Sequence, residues 1–340
     1  MFDKSICNHC YEEIHAEIIK REDGVWLKKV CEAHGEALEL IEPDVAFYES
    51  IENQPDDKRL LEYINSTALD VTDRCNVRCP HCYALPEDAT TDISIDKLVE
   101  LSRHATKGST LLLMGAEPSM RNDLGELCKA LREDSGKPVG VYTNAIRLAD
   151  KKYFNKNVEN IDFFSVSLHT RDYLPNPKLF DMKLKGIENI KSAGKKIHHI
   201  SFSLLTIDHL DEVLEHTEKL KGVPQHFRIR TPSRVGTCET PPMFLSELYN
   251  EFVKRMNAKG HEVKIVKGDN NPYHLNVKAN GTLFRLVHFP SVHNVQLKYL
   301  QRPTWALFVP EIGETNLVHQ FIIQEGLKTN KVEQIVRFIK

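Results

Sequence analysis

The stretch Asp73-Arg74-Cys75-Asn76-Val77-Arg78-Cys79-Pro80-His81-Cys82-Tyr83 sets three cysteines at CxxxCxxC spacing. Thiolates are soft ligands suited to iron–sulfur clusters. Three of them can hold three irons of a [4Fe–4S] cluster and leave the fourth iron without a protein ligand. Such an open iron is a place for chemistry, whereas a fully ligated cluster mainly moves electrons. A structural zinc site made from these cysteines and one further ligand is the competing reading. The flanking sequence decides between them.

Around this loop the pattern is strand, loop and amphipathic helix, repeated. Strands are predicted over 67–71, 111–114, 139–142, 163–168, 199–205 and 226–229. Helices are predicted between and after them over 95–106, 123–134, 148–155, 178–193, 208–220 and 244–258. Strands alternating with helices give an α/β fold with a parallel sheet and βα crossovers. Periodicity alone leaves open whether that sheet is flat or curled. The cysteine loop follows the first strand. At the ends of the next three strands stand Met114-Gly115-Ala116-Glu117-Pro118, Tyr142-Thr143-Asn144-Ala145 and Ser165-Val166-Ser167-Leu168-His169. Each of these alone is an ordinary polar turn at a strand end. Their order, and the spacing of about 40 residues from Cys75 to Gly115, make the set specific.

Together these motifs resemble the radical S-adenosylmethionine (SAM) superfamily, in the style of the branch containing the molybdenum-cofactor cyclase. The resemblance covers residues ~67–230. It implies a partial (β/α)6, TIM-like barrel with the active site at the C-terminal ends of its strands. It further implies that the open iron chelates SAM and that reductive cleavage yields a 5′-deoxyadenosyl radical. On this reading Cys75, Cys79 and Cys82 carry the cluster. His81 holds the usually aromatic position that contacts adenine. Gly115, Ala116 and Glu117 stand where the family has Gly-Gly-Glu, whose main chain binds the SAM amino group. Ala116 replaces a glycine, which restricts φ there. Asn144 and Ser167 are expected on SAM and Thr143 on the substrate. The resemblance also implies a reducing electron donor such as flavodoxin or ferredoxin.

The first ~45 residues form a separate unit, 1–45. Cys7, Cys10, Cys31 and His34 have C-x2-C and C-x2-H spacing around a hairpin that turns at Arg21-Glu22-Asp23-Gly24. A Cys3His set is a common structural zinc site, and zinc (Zn2+) is the expected occupant; a second iron–sulfur cluster and incidental cysteines also fit the spacing. The unit weakly resembles the Cys-rich N-terminal extension of archaeal radical SAM enzymes that methylate pterins or couple lipid chains. His9 competes as a ligand but reads as a solvated loop residue. Cys128 and Cys238 are isolated and read as buried or incidental thiols.

The barrel is expected over 67–260 and a C-terminal α+β extension that covers the substrate over 261–340. Strands are predicted there over 261–266, 274–278 and 282–286, the last two joined around Ala279-Asn280-Gly281, with a final helix over 331–339. No cysteine follows Cys238, so an auxiliary cluster on C-terminal cysteines is not expected. Arg228, Arg230 and Arg234 flank the sixth strand end, and Arg285, His288, His293 and Arg302 follow. Arginines at such a mouth suit a phosphate or carboxylate, and Arg230 and Arg234 are the chosen substrate contacts. The loop 170–177 either covers the site or is a plain connection.

The 340 residues have a net charge of −3, which gives no general nucleic-acid or anionic-membrane surface. No apolar run is long enough to span a bilayer, and the start at Met1 lacks a signal-peptide pattern, so a cytoplasmic location is the default. The expected function is therefore a radical SAM enzyme acting on a small, anionic molecule, its reaction not encoded in the motifs. The rival is a non-catalytic zinc-binding scaffold or nucleic-acid-binding module.

Overall fold

The computed structural model describes residues 3–7, 9–10, 13–52, 66–82, 86, 92–103, 110–232, 240–241, 243–266, 273–288 and 305–308. Arg234, Cys238, His293, Arg302 and the 331–339 helix lie outside the described residues.

The N-terminal unit is a four-stranded antiparallel meander, β1 (Asp3–Ile6), β2 (Glu13–Arg21), β3 (Gly24–Cys31) and β4 (Gly35–Glu42). The turn between β2 and β3 closes on Gly24 at φ +142°, a conformation that a side chain opposes. Its small core of Ala16, Val25, Leu27 and Ile41 is completed by Tyr48 of α1 (Val45–Glu52) and by Tyr273. Glu42 ties the unit to the rest of the chain. Its carboxylate accepts from the backbone N–H of Ser246 at 3.2 Å and from the Ser246 hydroxyl.

The larger sheet contains β5 (Ser66–Asp70), β6 (Thr110–Met114), β7 (Val139–Thr143), β8 (Phe163–Ser167), β9 (Lys196–Ser203) and β10 (Pro224–Arg230). These six lie side by side in chain order and all run parallel. Between them run α2 (Ile95–Ser102), α3 (Leu124–Ser135), α4 (Lys151–Asn157), α5 (Lys178–Ser192) and α6 (His209–Lys219), with α7 (Leu245–Ala258) after β10. The helices start and stop where local chemistry allows. Ser94 caps α2 by accepting from Lys97 N–H, and Gly136 ends α3 at φ +66°. Every second residue of the strands, such as Leu111, Leu113, Val139, Val141, Phe164 and Val166, packs against the helices in one large core. The alternate residues Ala68, Leu112, Met114 and Phe163 form a second, smaller cluster on the opposite face.

The C-terminal strands do not stand apart. β11 (Val263–Ile265), β12 (His274–Ala279) and β13 (Thr282–Val287) extend the same sheet, β13 pairing parallel with β10 and antiparallel with β12. The hairpin between β12 and β13 turns on Asn280 and Gly281, at φ +47° and +71°. β14 (Trp305–Phe308) pairs parallel with β5 at the other end. Among the described residues, β11 and β14 do not pair with each other, so the sheet is a partial rather than a closed barrel.

Candidate active site

The cysteine loop leaves the C-terminal end of β5 and is bonded to its neighbours at several points. Thr72 O accepts from Ala116 N–H at 2.9 Å and Arg74 O from Glu117 N–H at 3.0 Å, so the 115–118 turn lies against the loop. Gly115 makes this contact possible. A Cβ built there would sit 2.4 Å from Thr72 O, and its φ of +119° is one that side chains oppose. Ala116 carries no positive φ, which is why an alanine is accepted in place of the expected glycine. The φ-demanding alanine is instead Ala145, at +62°.

Glu117 joins three strand ends. One carboxylate oxygen accepts from the Thr143 hydroxyl at 2.6 Å and from Ser119 N–H at 3.0 Å, and the other accepts from Asn144 N–H at 2.7 Å. Its side chain is buried, and so is Thr143, whose hydroxyl also accepts from Ala145 N–H. Thr143 was expected on the substrate and Glu117 on SAM; in the structure both side chains are engaged with protein. Asn144 reaches back to the loop by donating to Asn76 Oδ1 at 2.8 Å.

Cys75, Cys79 and Cys82 are half-buried. Cys75 and Cys79 pack against the main core. Burial, with Glu117 and the other cysteines nearby, pushes the Cys75 thiol up to about 12; burial also pushes Cys79 up to about 11. Sulfurs this resistant to ionisation need a strongly electrophilic partner to become thiolates, and a coordinated metal supplies that. Lys183 of α5 lies under the loop, fully buried, with its ammonium donating to Ser167 O at 2.8 Å and Leu168 O at 3.2 Å. Burial draws its pKa down to about 8 against the opposing pull of Cys79, Glu117 and Cys75. A buried cation next to these thiols suits an anionic cluster, and the donor set of three cysteines fits it. Nothing in the local sequence of α5 marks Lys183 for this place.

The end of β8 approaches from the other side. His169, at φ +61°, accepts on Nδ1 from Ser203 N–H and stacks on Tyr173 at 4.1 Å. Tyr173 in turn donates to His81 O at 2.8 Å, so the 170–177 loop reaches over to the cysteine loop. His81 Nδ1 is buried without a hydrogen-bond partner among the described residues. Asp70, the last residue of β5, is likewise buried with both carboxylate oxygens unpartnered among those residues. Burial and the neighbouring Asp73 raise its pKa to about 8.

The second metal site lies in the meander. The ligand atoms of Cys7, Cys10, Cys31 and His34 are all within 4.8 Å of one another. Cys10 and Cys31 sulfurs are 3.8 Å apart, and His34 Nδ1 lies 3.6 Å from Cys7 Sγ and 3.4 Å from Cys31 Sγ. A zinc tetrahedron with ordinary bond lengths has edges of roughly 3.8 Å between sulfurs and roughly 3.6 Å between sulfur and nitrogen. The quartet fits zinc. Although burial opposes it, N–H groups of Cys10 and His9 draw the Cys7 thiol down to about 6. His9 is exposed and stands beside His34 rather than in the quartet. Cys128 is sealed in the main core, with burial raising its thiol far above the usual range.

Residues 69–220 match the Radical SAM superfamily, and residues 2–43 match the HMPTM N-terminal zinc ribbon domain. The chain carries a radical SAM domain. The matched spans cover both sites, so the radical SAM domain implies a [4Fe–4S] cluster and SAM, and the zinc ribbon a structural zinc ion. Among curated proteins it is 28% identical over 225 residues to the 7,8-dihydro-6-hydroxymethylpterin dimethyltransferase of Methanocaldococcus jannaschii, covering 56% of this chain and 44% of that one. It is 25% identical over 174 residues to the probable GTP 3′,8-cyclase of Methanococcus maripaludis, covering 48% of this chain and 58% of that one. The chain thus spans about half the length of these curated relatives. Among solved structures, Streptococcus suis SuiB bound to S-adenosylmethionine aligns with a TM-score of 0.44 and 16% identity, over 84% of this chain and 72% of that one. No helix among the described residues is long and apolar enough to cross a membrane.

Proposed function

We propose that this protein is an enzyme that cleaves SAM reductively and uses the resulting radical to take a hydrogen atom from a small, anionic substrate. One observation carries the reading. The motif-bearing ends of β6 and β7 form a single hydrogen-bonded unit with the cysteine loop, through Ala116 and Glu117 N–H on the loop carbonyls and through the Glu117 carboxylate on Thr143 and Asn144. In this proposal Cys75, Cys79 and Cys82 hold the cluster, which supplies the electron and an open iron for SAM. The main chain at Gly115 and Ala116, with Asn144, Ser167 and His81, orients SAM. Glu117 and Thr143 brace those groups, and Arg230 and Arg234 meet the substrate. Residues 1–45 serve as the zinc ribbon, 67–260 as the barrel and the region from 261 onward as the cover over the substrate.

The two relatives are named for a dihydropterin and for GTP, compounds that share a fused 2-amino-4-oxopyrimidine ring. A small nitrogen heterocycle of that kind is therefore the substrate class to assay first. Flavodoxin or ferredoxin would deliver the electron, and a reducing compartment such as the cytoplasm would keep both thiol sets available. The test is anaerobic incubation with SAM and dithionite. The proposal expects 5′-deoxyadenosine from the native chain and none from Cys75→Ala, Cys79→Ala or Cys82→Ala. A native chain that is colourless, binds about two zinc ions and makes no 5′-deoxyadenosine would favour the zinc scaffold instead.

A further inference from the structure

Asp70 closes β5 with a carboxyl that is 1% exposed, and neither of its oxygens has a hydrogen-bond partner among the described residues. The residues on either side of it, Leu69 and Val71, both belong to the core beneath the helices. By strand alternation Asp70 therefore lies on the face turned away from the helices, with Ala68, Leu112, Met114 and Phe163. Met114 stands beside it in register, one residue before Gly115, whose main chain is placed on SAM above. The carboxyl thus faces the mouth of the site from a strand that carries none of the SAM groups.

The same face carries further polar groups across the sheet. In register, Tyr142 of β7 stands beside Ser165 of β8, Ser165 beside His199 of β9, and His199 beside His226 of β10. Tyr142 also packs against the apolar cluster that borders Asp70. His199 Nδ1 meets Ser165 Oγ at 3.4 Å, while His199 Nε2 and the Ser201 hydroxyl are buried with no hydrogen-bond partner among the described residues. A buried polar atom without a partner costs free energy, and a bound molecule that pairs with it offsets that cost. Apolar ground with a few polar groups set in it is the ordinary make-up of a small-molecule pocket.

We propose that Asp70 is the specificity-determining residue for the substrate, its carboxyl pairing edge-on with a ring nitrogen and the adjoining amino group of a 2-amino-4-oxopyrimidine ring, whose face lies against Met114 and Tyr142. The inference rests on the reading above of the substrate as a nitrogen heterocycle. Burial, with Asp73 nearby, keeps the proton on Asp70 up to about 8. The group then offers one O–H donor and one acceptor oxygen, as a carboxylic acid held neutral in an apolar site does. A ring nitrogen next to a 2-amino group presents the complementary acceptor and donor. Both hydrogen bonds form together, and no charge is left buried without a partner. An ammonium, such as the amino group of free SAM, would call for the ionised carboxylate instead.

The test is equilibrium dialysis of pterin (2-amino-4-oxopteridine), and separately of 1,3-dimethyllumazine, against the anaerobically reconstituted full chain in the presence of SAM. 1,3-Dimethyllumazine keeps the bicyclic ring but has no N–H and no amino group. SAM binding and 5′-deoxyadenosine formation are measured on the same preparations. The proposal expects saturable pterin binding, about ten- to a hundredfold weaker both for 1,3-dimethyllumazine on the native chain and for pterin on Asp70→Leu. Asp70→Asn, whose amide offers the same donor and acceptor, should bind pterin within about threefold of the native chain. The comparison of the two ligands on the native chain carries the test should Asp70→Leu fail to fold. A native chain that binds no pterin, or binds both ligands equally, would overturn the proposal. So would unchanged pterin binding in Asp70→Leu, or a loss in Asp70→Asn as large as that in Asp70→Leu. SAM affinity that falls in Asp70→Leu while pterin affinity holds would assign the carboxyl to SAM and overturn it as well. Pterin binding that needs Asp70 in a protein that cannot cleave SAM would leave the subsite standing and remove the SAM reading. SAM cleavage without pterin binding would do the reverse.

Discussion

Replacing Glu117 by glutamine isolates the brace that holds the strand ends around the cysteine loop. The carboxylate accepts three hydrogen bonds, from Thr143, Ser119 and Asn144, and all three are at 3.0 Å or less. A glutamine side chain has one oxygen. If its NH2 group faces Asn144, two N–H donors oppose each other in a buried place. If the group turns the other way, it meets Ser119 N–H and a Thr143 hydroxyl that already accepts from Ala145. Either orientation loses at least one hydrogen bond to a charged acceptor, worth roughly 1.5–3 kcal/mol, and leaves a buried donor unsatisfied. With the remaining bonds reduced to neutral ones, the loss is ~3 kcal/mol. At roughly 2–4 °C per kcal/mol for a domain of this size, Glu117→Gln should melt roughly 6–12 °C below the native protein by calorimetry. Glu133→Gln on the exposed face of α3 is the control, because its partner Lys129 is also exposed and such pairs contribute little. A Glu117→Gln protein that melts with Glu133→Gln and the native chain would refute the bracing argument.

Three further outcomes follow from the same geometry. Cys31→Ser removes a ligand that lies against both Cys10 and His34; zinc content should fall to near zero while the iron content of the reconstituted protein is kept, and a parallel loss of iron would contradict two separate sites. Asp70 keeps its proton to about 8 when folded because of burial and Asp73, against an ordinary value of 3.8, so the unfolded chain ionises first as pH rises and native stability falls across that window. Asp70→Asn should therefore gain in melting temperature over the native chain as pH rises from about 4 to about 8, and a pH-independent difference would count against the buried, proton-bearing carboxyl. Lys183→Met removes the ammonium buried beside Cys79 and Cys75, so redox titration followed by electron paramagnetic resonance should find the cluster harder to reduce; an unchanged potential would place that charge outside the cluster's field.

The order of the parallel strands and the place of the cysteine loop were legible because each strand end carries its own chemistry. The Asn280-Gly281 turn announced its hairpin for the same local reason, since those residues accept positive φ. What the hairpin pairs with was not legible. Parallel pairing of β13 with β10 joins segments some 57 residues apart, Phe227 to Phe284, and no local pattern encodes that register. The same limit hid the row from Tyr142 to His226, which exists only once four strands are aligned. Lys183 and Glu117 show a second limit. On α5, Lys183 reads as one of several surface lysines until the helix is docked with that residue inward. Glu117 belongs to a motif associated with SAM, while its hydrogen bonds show what its carboxylate does for the neighbouring turns.

The central claim is that Cys75, Cys79 and Cys82 leave an iron open for SAM. Electron paramagnetic resonance of the anaerobically reconstituted, dithionite-reduced chain, recorded with and without SAM, tests it most directly. The account predicts a [4Fe–4S] signal whose line shape changes when SAM is added and which is lost in Cys79→Ala. A reduced protein with no iron signal, or with a cluster signal that SAM leaves unchanged, would contradict it.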